Sequence, residues 1–147
     1  MSEVTTSIEI DAPVQEVWDL VMDPERLADW VTIHRRLVSH DEDEMEQVLC
    51  LRGANFKVKW HLERSRAPYH AEWHGKGPAR SHAETEYNLA DNGRGGTRFD
   101  YRNEFKAPLG PLGAVASRAI VGGQPAKEAD ASLQRLKALL ENGAPTP

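Results

Sequence analysis

The middle of the chain alternates apolar and polar residues with a period of two. In FKVKWHLE (56–63), Phe56, Val58, Trp60 and Leu62 fall on one side, and Lys57, Lys59, His61 and Glu63 on the other. This is the signature of a strand with one buried and one wet face. YHAEWHGK (69–76) divides into Tyr69, Ala71, Trp73 and Gly75 against His70, Glu72, His74 and Lys76. SHAETEYNL (81–89) sets Ser81, Ala83, Thr85, Tyr87 and Leu89 against His82, Glu84, Glu86 and Asn88, and TRFDYRNEFK (97–106) sets Thr97, Phe99, Tyr101, Asn103 and Phe105 against charged neighbours. With further strands near 3–10 and 44–52, the pattern predicts an antiparallel meander. Gly53-Ala54 fits a two-residue type II′ turn, a register that puts Leu51 opposite Phe56 and Leu49 opposite Val58. Pro68 and Asp91-Asn92-Gly93 mark later turns.

Helical spacing takes over at the two ends. Residues 13–21 put Val14, Val17, Trp18 and Val21 on one face, with Asp11 and Pro13 as start signals. Asp23 as N-cap and Pro24 at the first helical position open a second short helix carrying Leu27, Trp30 and Val31. A long helix is expected over about 112–141, with Leu112, Val115, Ala119, Ala126, Ala129, Leu133, Leu136 and Leu140 on one face. Gly122, Gly123 and Pro125 should kink or interrupt it, and Asn142-Gly143 before Pro145 should end it. The fold class is therefore α+β. A curved antiparallel sheet with one long helix left to cover its apolar face must wrap around that C-terminal helix, with two short helices after the first strand.

Ala12-Pro13, Val17-Trp18, Asp23-Pro24, Leu27 and Trp30, with Leu133, Leu136 and Lys137 near the end, resemble the pattern of the START-like (Bet v 1-like, polyketide cyclase/dehydrase and lipid transport, SRPBCC) superfamily over essentially the whole chain. The resemblance implies a helix-grip fold with an apolar cavity between sheet and long helix. Trp30 followed by Thr32-Ile33-His34-Arg35, together with LGPLG (109–113), is similar to an actinobacterial subgroup described as the toxin half of toxin–antitoxin pairs.

Length and charge narrow the function classes. At 147 residues the chain is read as one ligand-binding domain, residues 1–147, large enough to bury roughly two-thirds of its unfolded surface. A formal charge of -5, from 18 basic and 23 acidic residues, argues against non-specific nucleic-acid binding. Cys50 is alone, so an intrachain disulfide and a cysteine zinc cluster are excluded. MSEVTTSIEID lacks the make-up of a secretory signal, and LGPLGAVASRAIVGG is too short and interrupted to span a bilayer; a cytoplasmic protein is expected.

The inner positions of the five central strands carry no Asp, Glu, Lys, Arg or His. A carboxylate or phosphate buried there would be an unpaired charge. The inner face offers Leu49, Leu51, Phe56, Val58, Trp60, Trp73, Ala83 and Phe99, with Gln47, Ser81, Thr85, Tyr87, Thr97, Tyr101 and Asn103 as its polar members. This suits a mostly apolar ligand bearing a hydroxyl, carbonyl or ether group. Trp30 and His34 from the second short helix and its exit, and Val115, Ala119 and Gly123 from the long helix, complete the expected ligand-binding set. Small residues along that helix leave either close packing or a void, and a void forfeits packing energy unless it is filled.

Catalysis finds less support. His34, Tyr69, Tyr87 and Tyr101 are the titratable candidates, no nucleophile–base–orienter set emerges, and no catalytic residue is assigned. His34 reads first as an orienting or capping group, then as a ligand contact, last as a base. His61, His70, His74 and His82 lie on the wet face among charges, where a solvated ladder is favoured over a metal site. No cofactor is implied. The expected function is binding of a small hydrophobic or amphipathic molecule (a lipid, isoprenoid or polyketide-like compound) as carrier, sensor or sequestering protein. A cyclase/dehydratase-type enzyme, or a toxin-like interaction protein with a protein partner or as a homodimer, stand as alternatives.

Overall fold

The computed structural model of the chain describes residues 2–51, 54–106 and 124–142. Seven strands form one antiparallel sheet: β1 (Ser2–Ile10), β2 (His34–His40), β3 (Glu44–Leu51), β4 (Ala54–Arg66), β5 (His70–Lys76), β6 (His82–Asp91) and β7 (Thr97–Lys106). Their order across the sheet is β1-β7-β6-β5-β4-β3-β2, so β2 to β7 run as a meander and β1 closes onto the last strand. Between β1 and β2 lie α1 (Val14–Val21), a 3-10 turn (Pro24–Arg26) and α2 (Leu27–Trp30); α3 (Gln124–Asn142) follows the sheet. This is a helix-grip fold.

Local chemistry explains most of the boundaries. The Asp23 carboxylate accepts the Glu25 N–H at 3.0 Å and Pro24 follows it, so the second helical stretch starts where expected, tightened into a 3-10 turn before α2. Pro13, with φ of -61°, takes the capping position of α1, whereas Asp11 donates its own N–H to the Glu141 carboxylate on α3 at 2.8 Å. Pro125 lies in the first turn of α3, where a missing N–H is tolerated. The expected helix over 112–123, with Gly122 and Gly123, lies outside the described residues.

Three expectations need correction. The strand β2 is additional to those predicted: its burial pattern lacks period two and its pairing with β3 shifts between His34 and Arg36 and again between Leu37 and Ser39. The β3–β4 register sets Leu51 opposite Ala54, Leu49 opposite Phe56 and Gln47 opposite Val58, two residues from the expected pairing. A shift of two keeps every side chain on its expected face. Tyr69 sits in the turn before β5 and is 56% exposed, because its N–H closes that turn on the Arg66 carbonyl at 2.8 Å.

One core runs between sheet and helices. Ile10, Val17, Trp30, Phe99 and Leu136 are its most deeply buried large apolar side chains, with Leu133 and Leu139 adding the stripe of α3. The helix α3 is tied to β1 by Thr6 Oγ1 donating to the Asp130 carboxylate (2.7 Å) and by Lys137 Nζ donating to the Glu9 carbonyl (2.7 Å). On the opposite face of the sheet Arg102 gathers Glu3, Glu86 and Glu104, while His70 sits between Glu72 and Asn88. This is the expected charged face, though Glu104 is buried beneath Arg102 and Lys106 rather than solvated.

Candidate functional site

A cavity of about 160 Å³ opens between the inner sheet face, the α1–α2 segment and α3. Met22, Leu27, Trp30, Val31 and Ile33 form one wall. The sheet supplies Leu49, Phe56, Val58, Trp60 and Trp73 on one side and Ala83, Thr85, Tyr87, Tyr101 and Asn103 on the other. From α3 come Glu128, Ala129, Ser132 and Leu133. The lining is chiefly aromatic and aliphatic with a few polar atoms, as small-molecule sites are.

The polar atoms form two distinct arrangements. In the first, Trp60 Nε1 donates to Gln47 Oε1 at 2.9 Å, and Gln47 Nε2 lies 2.8 Å from His34 Nδ1. An indole N–H can only donate, so Gln47 must turn its oxygen to Trp60 and its amide N–H to His34, which makes Nδ1 an acceptor and puts the imidazole proton on Nε2. In the second, Thr32, in the α2–β2 link, is held by α3: its N–H donates to Ser132 Oγ at 3.0 Å, and its hydroxyl bonds the Glu128 carboxylate. By contrast, the Trp30 indole N–H is buried and has no hydrogen-bond partner among the described residues.

The polyketide cyclase / dehydrase and lipid transport model matches residues 1–141. The chain belongs to that family. The Mycobacterium tuberculosis protein Rv1546 is 27% identical over 133 residues, covering 83% of this chain and 90% of its own. A second M. tuberculosis relative, named Toxin Rv0910, is 24% identical over 127 residues, covering 82% of this chain and 88% of its own. Among solved structures, a conserved protein from Geobacillus kaustophilus superposes with a TM-score of 0.78 at 20% identity over 97% of each chain, which shows the shared fold. In this member of the polyketide cyclase / dehydrase and lipid transport family, no helix among the described residues is long and apolar enough to cross a membrane.

Most of the residues expected at the site are brought together here, but not all. Phe99 is absent from the lining and lies fully buried in the core behind Tyr87 and Trp30. His34 is also outside the lining and reaches the wall only through Gln47. The side chain of Leu51, and Val115, Ala119 and Gly123, lie outside the described residues. Among the described residues the wall contains one carboxylate, Glu128, so the uncharged character expected of the pocket does not extend to α3. His82, expected on the wet face, instead lines the cavity, its ring 5.4 Å from that of His74 and its Nδ1 buried without a partner among the described residues. Among the described residues no group of three or more His, Cys, Asp or Glu side chains could hold a metal ion.

Burial sets the proton chemistry. It pushes the Tyr101 phenol up to about 12 and the Tyr87 phenol further, with the Tyr101 charge adding to the latter, so both stay O–H donors at neutral pH. Burial lowers His34 below its ordinary value, whereas the hydrogen bond that His70 donates to the Glu72 carboxylate raises His70. As pH falls through about 6.5, the unfolded chain takes up a proton at position 34 before the folded one does, and stability falls; His70 has the opposite sign, contributing stability at low pH that is lost as pH rises through its raised folded value. His34→Gln is therefore expected to flatten the fall in urea midpoint between pH 7 and 5, and His70→Gln to steepen it. Identical pH profiles for wild type and His34→Gln would refute the first.

Proposed function

We propose that this protein binds a small hydrophobic or amphipathic molecule in the cavity between its sheet and α3, as a carrier, sensor or sequestering protein. The observation that carries this reading is the cavity itself, about 160 Å³ walled by Trp30, Trp60, Trp73, Tyr87 and Tyr101. Apolar space of that size costs packing energy unless it is filled, and a ligand supplies the contacts. Tyrosines held protonated can donate a hydrogen bond to a ligand but cannot accept a proton from one at neutral pH, which favours binding over a base-driven cyclisation.

Three of the chain's tryptophans line the cavity, so occupancy reports on itself. Mass spectrometry of organic extracts and of the native protein is expected to show a co-purifying molecule. A panel of fatty acids, isoprenoids and aromatic polyketides is expected to contain members that change tryptophan emission and raise the melting temperature; a ligand at a hundredfold excess over its Kd adds about 2.7 kcal/mol of stability. The reading fails if nothing co-purifies and the whole panel leaves emission and melting temperature unchanged. The likeness to the relative named Toxin Rv0910 supports a second reading, an interaction protein with an antitoxin-like partner. Arrested growth on expression of this chain alone, relieved by a neighbouring gene product, would favour it over the first.

A further inference from the structure

The ring of Trp30, on α2, lies 6.1 Å from that of Tyr87 on β6, and Tyr87 lies 6.1 Å from Tyr101, its directly opposite partner on β7. All three side chains belong to the cavity wall. Trp30 is 2% exposed, and its indole N–H has no acceptor among the described residues, while burial keeps both tyrosine hydroxyls protonated and so able to donate. The neighbouring polar groups are already engaged. Thr85 Oγ1 donates to Asn103 Oδ1 at 3.1 Å, and Gln47 is held between Trp60 and His34. A buried donor left unmade costs about 1–3 kcal/mol, so the Trp30 N–H, beside two phenols that can also donate, calls for an acceptor from elsewhere.

The charge of the wall says which acceptor. Among the described residues the lining contains no Lys or Arg, and its one carboxylate is Glu128. Among the described residues a ligand carboxylate would meet no lysine or arginine, only the imidazole of His82, and would share the wall with the like charge of Glu128. A neutral oxygen accepts the same hydrogen bonds without that cost.

We propose that Trp30, Tyr87 and Tyr101 form a subsite for a neutral oxygen acceptor, a ketone, quinone or ether oxygen on an otherwise apolar ligand, and that Glu128 turns away carboxylates of the same shape. The proposal rests on the binding reading above and adds the chemical class and the residues that select it. It distinguishes oxygenated neutral molecules from free fatty acids, which the apolar wall alone would not.

Three one-ring probes of similar size test it: acetophenone, ethylbenzene and phenylacetate. One ring is the appropriate scale, since an apolar cavity of roughly 150 Å³ holds benzene. Dissociation constants are measured by titration followed in two-dimensional NMR spectra at neutral pH. Acetophenone is expected to bind at least about fivefold more tightly than ethylbenzene, the yield of one net hydrogen bond of about 1 kcal/mol, and phenylacetate at least about tenfold more weakly than either. In the wild-type protein the Trp30 indole N–H resonance, identified by its loss in Trp30→Phe, is expected to move downfield with acetophenone and not with ethylbenzene.

The variants Trp30→Phe, Tyr87→Phe and Tyr101→Phe are read through the ketone-to-hydrocarbon affinity ratio, which should approach one in at least the first, whatever happens to absolute affinity. Should Trp30→Phe fold poorly, the wild-type indole shift and the tyrosine variants decide. Phenylacetate binding as tightly as acetophenone, or ethylbenzene binding with no ketone preference and no indole shift, overturns the subsite while leaving the binding cavity standing. Failure of all three probes to bind overturns the subsite, and the binding reading is then decided by co-purification and the wider panel.

Discussion

Replacing Phe99 by alanine is expected to cost about 3–5 kcal/mol of folding stability, the range for removing a buried aromatic ring. Phe99 has no exposed surface, and its ring meets Trp30 edge-on at 6.5 Å and Tyr87 at 5.4 Å. On β7 it stands opposite Leu89 of β6 and Ile8 of β1, in the interior of the sheet, where neighbouring backbones are fixed by pairing on both sides and cannot close over the space. Against a total stability of about 5–15 kcal/mol for an ordinary domain, such a loss leaves the chain close to unfolding. Urea denaturation should show the midpoint falling sharply. Tyr69→Ala, an aromatic deletion in an exposed turn, should stay within about 0.5 kcal/mol of wild type. A Phe99→Ala loss under about 1 kcal/mol would mean that the ring is a replaceable cavity wall rather than core.

That contrast shows how far the amino-acid pattern reaches. Alternation along β5, β6 and β7 identified the face of the central residues, because strands buried on one side keep strict period two, and missed His82 at the start of β6, which lines the cavity. It failed at the edges of elements. Tyr69 continues the alternation of β5 by one residue, but the chain is already in a turn there, and β2 reads HRRLVSH because an edge strand with shifted pairing presents no regular buried side. Register was less legible than face, since a slip of two residues between β3 and β4 leaves every hydrophobic position pointing the same way. The polar network depends on that register. His34, Gln47 and Trp60 are spaced thirteen residues apart at each step, and they meet only because His34 pairs with Leu49 and Gln47 with Val58. Glu128 escaped notice for another reason: it precedes Ala129 in a helix whose apolar stripe suggests an uncharged face, and only the docking of α3 against Thr32 turns it into the wall.

Gly75→Val should have an effect of similar size, about 2–5 kcal/mol, through overpacking and a broken buried hydrogen bond together. Gly75 on β5 pairs directly with Trp60 on β4, and a Cβ placed there would lie 2.7 Å from two carbons of the Trp60 ring and 2.9 Å from Val58 Cγ1. Real carbon atoms do not approach so closely, so the indole must shift. The ring has little freedom to do so, since it is buried and its Nε1 is bonded to Gln47. Glycine here is the residue that lets a large aromatic lie flat over the neighbouring strand. The consequence extends beyond stability: once Trp60 leaves Gln47 Oε1, the Gln47 amide is free to turn, and nothing then holds an N–H donor against His34 Nδ1. His34 keeps its burial but loses the donor aimed at Nδ1, so its titration followed by NMR should rise part of the way toward its ordinary value. An unchanged His34 titration in a folded but destabilised Gly75→Val would show that the Trp60–Gln47–His34 chain does not fix the histidine's proton.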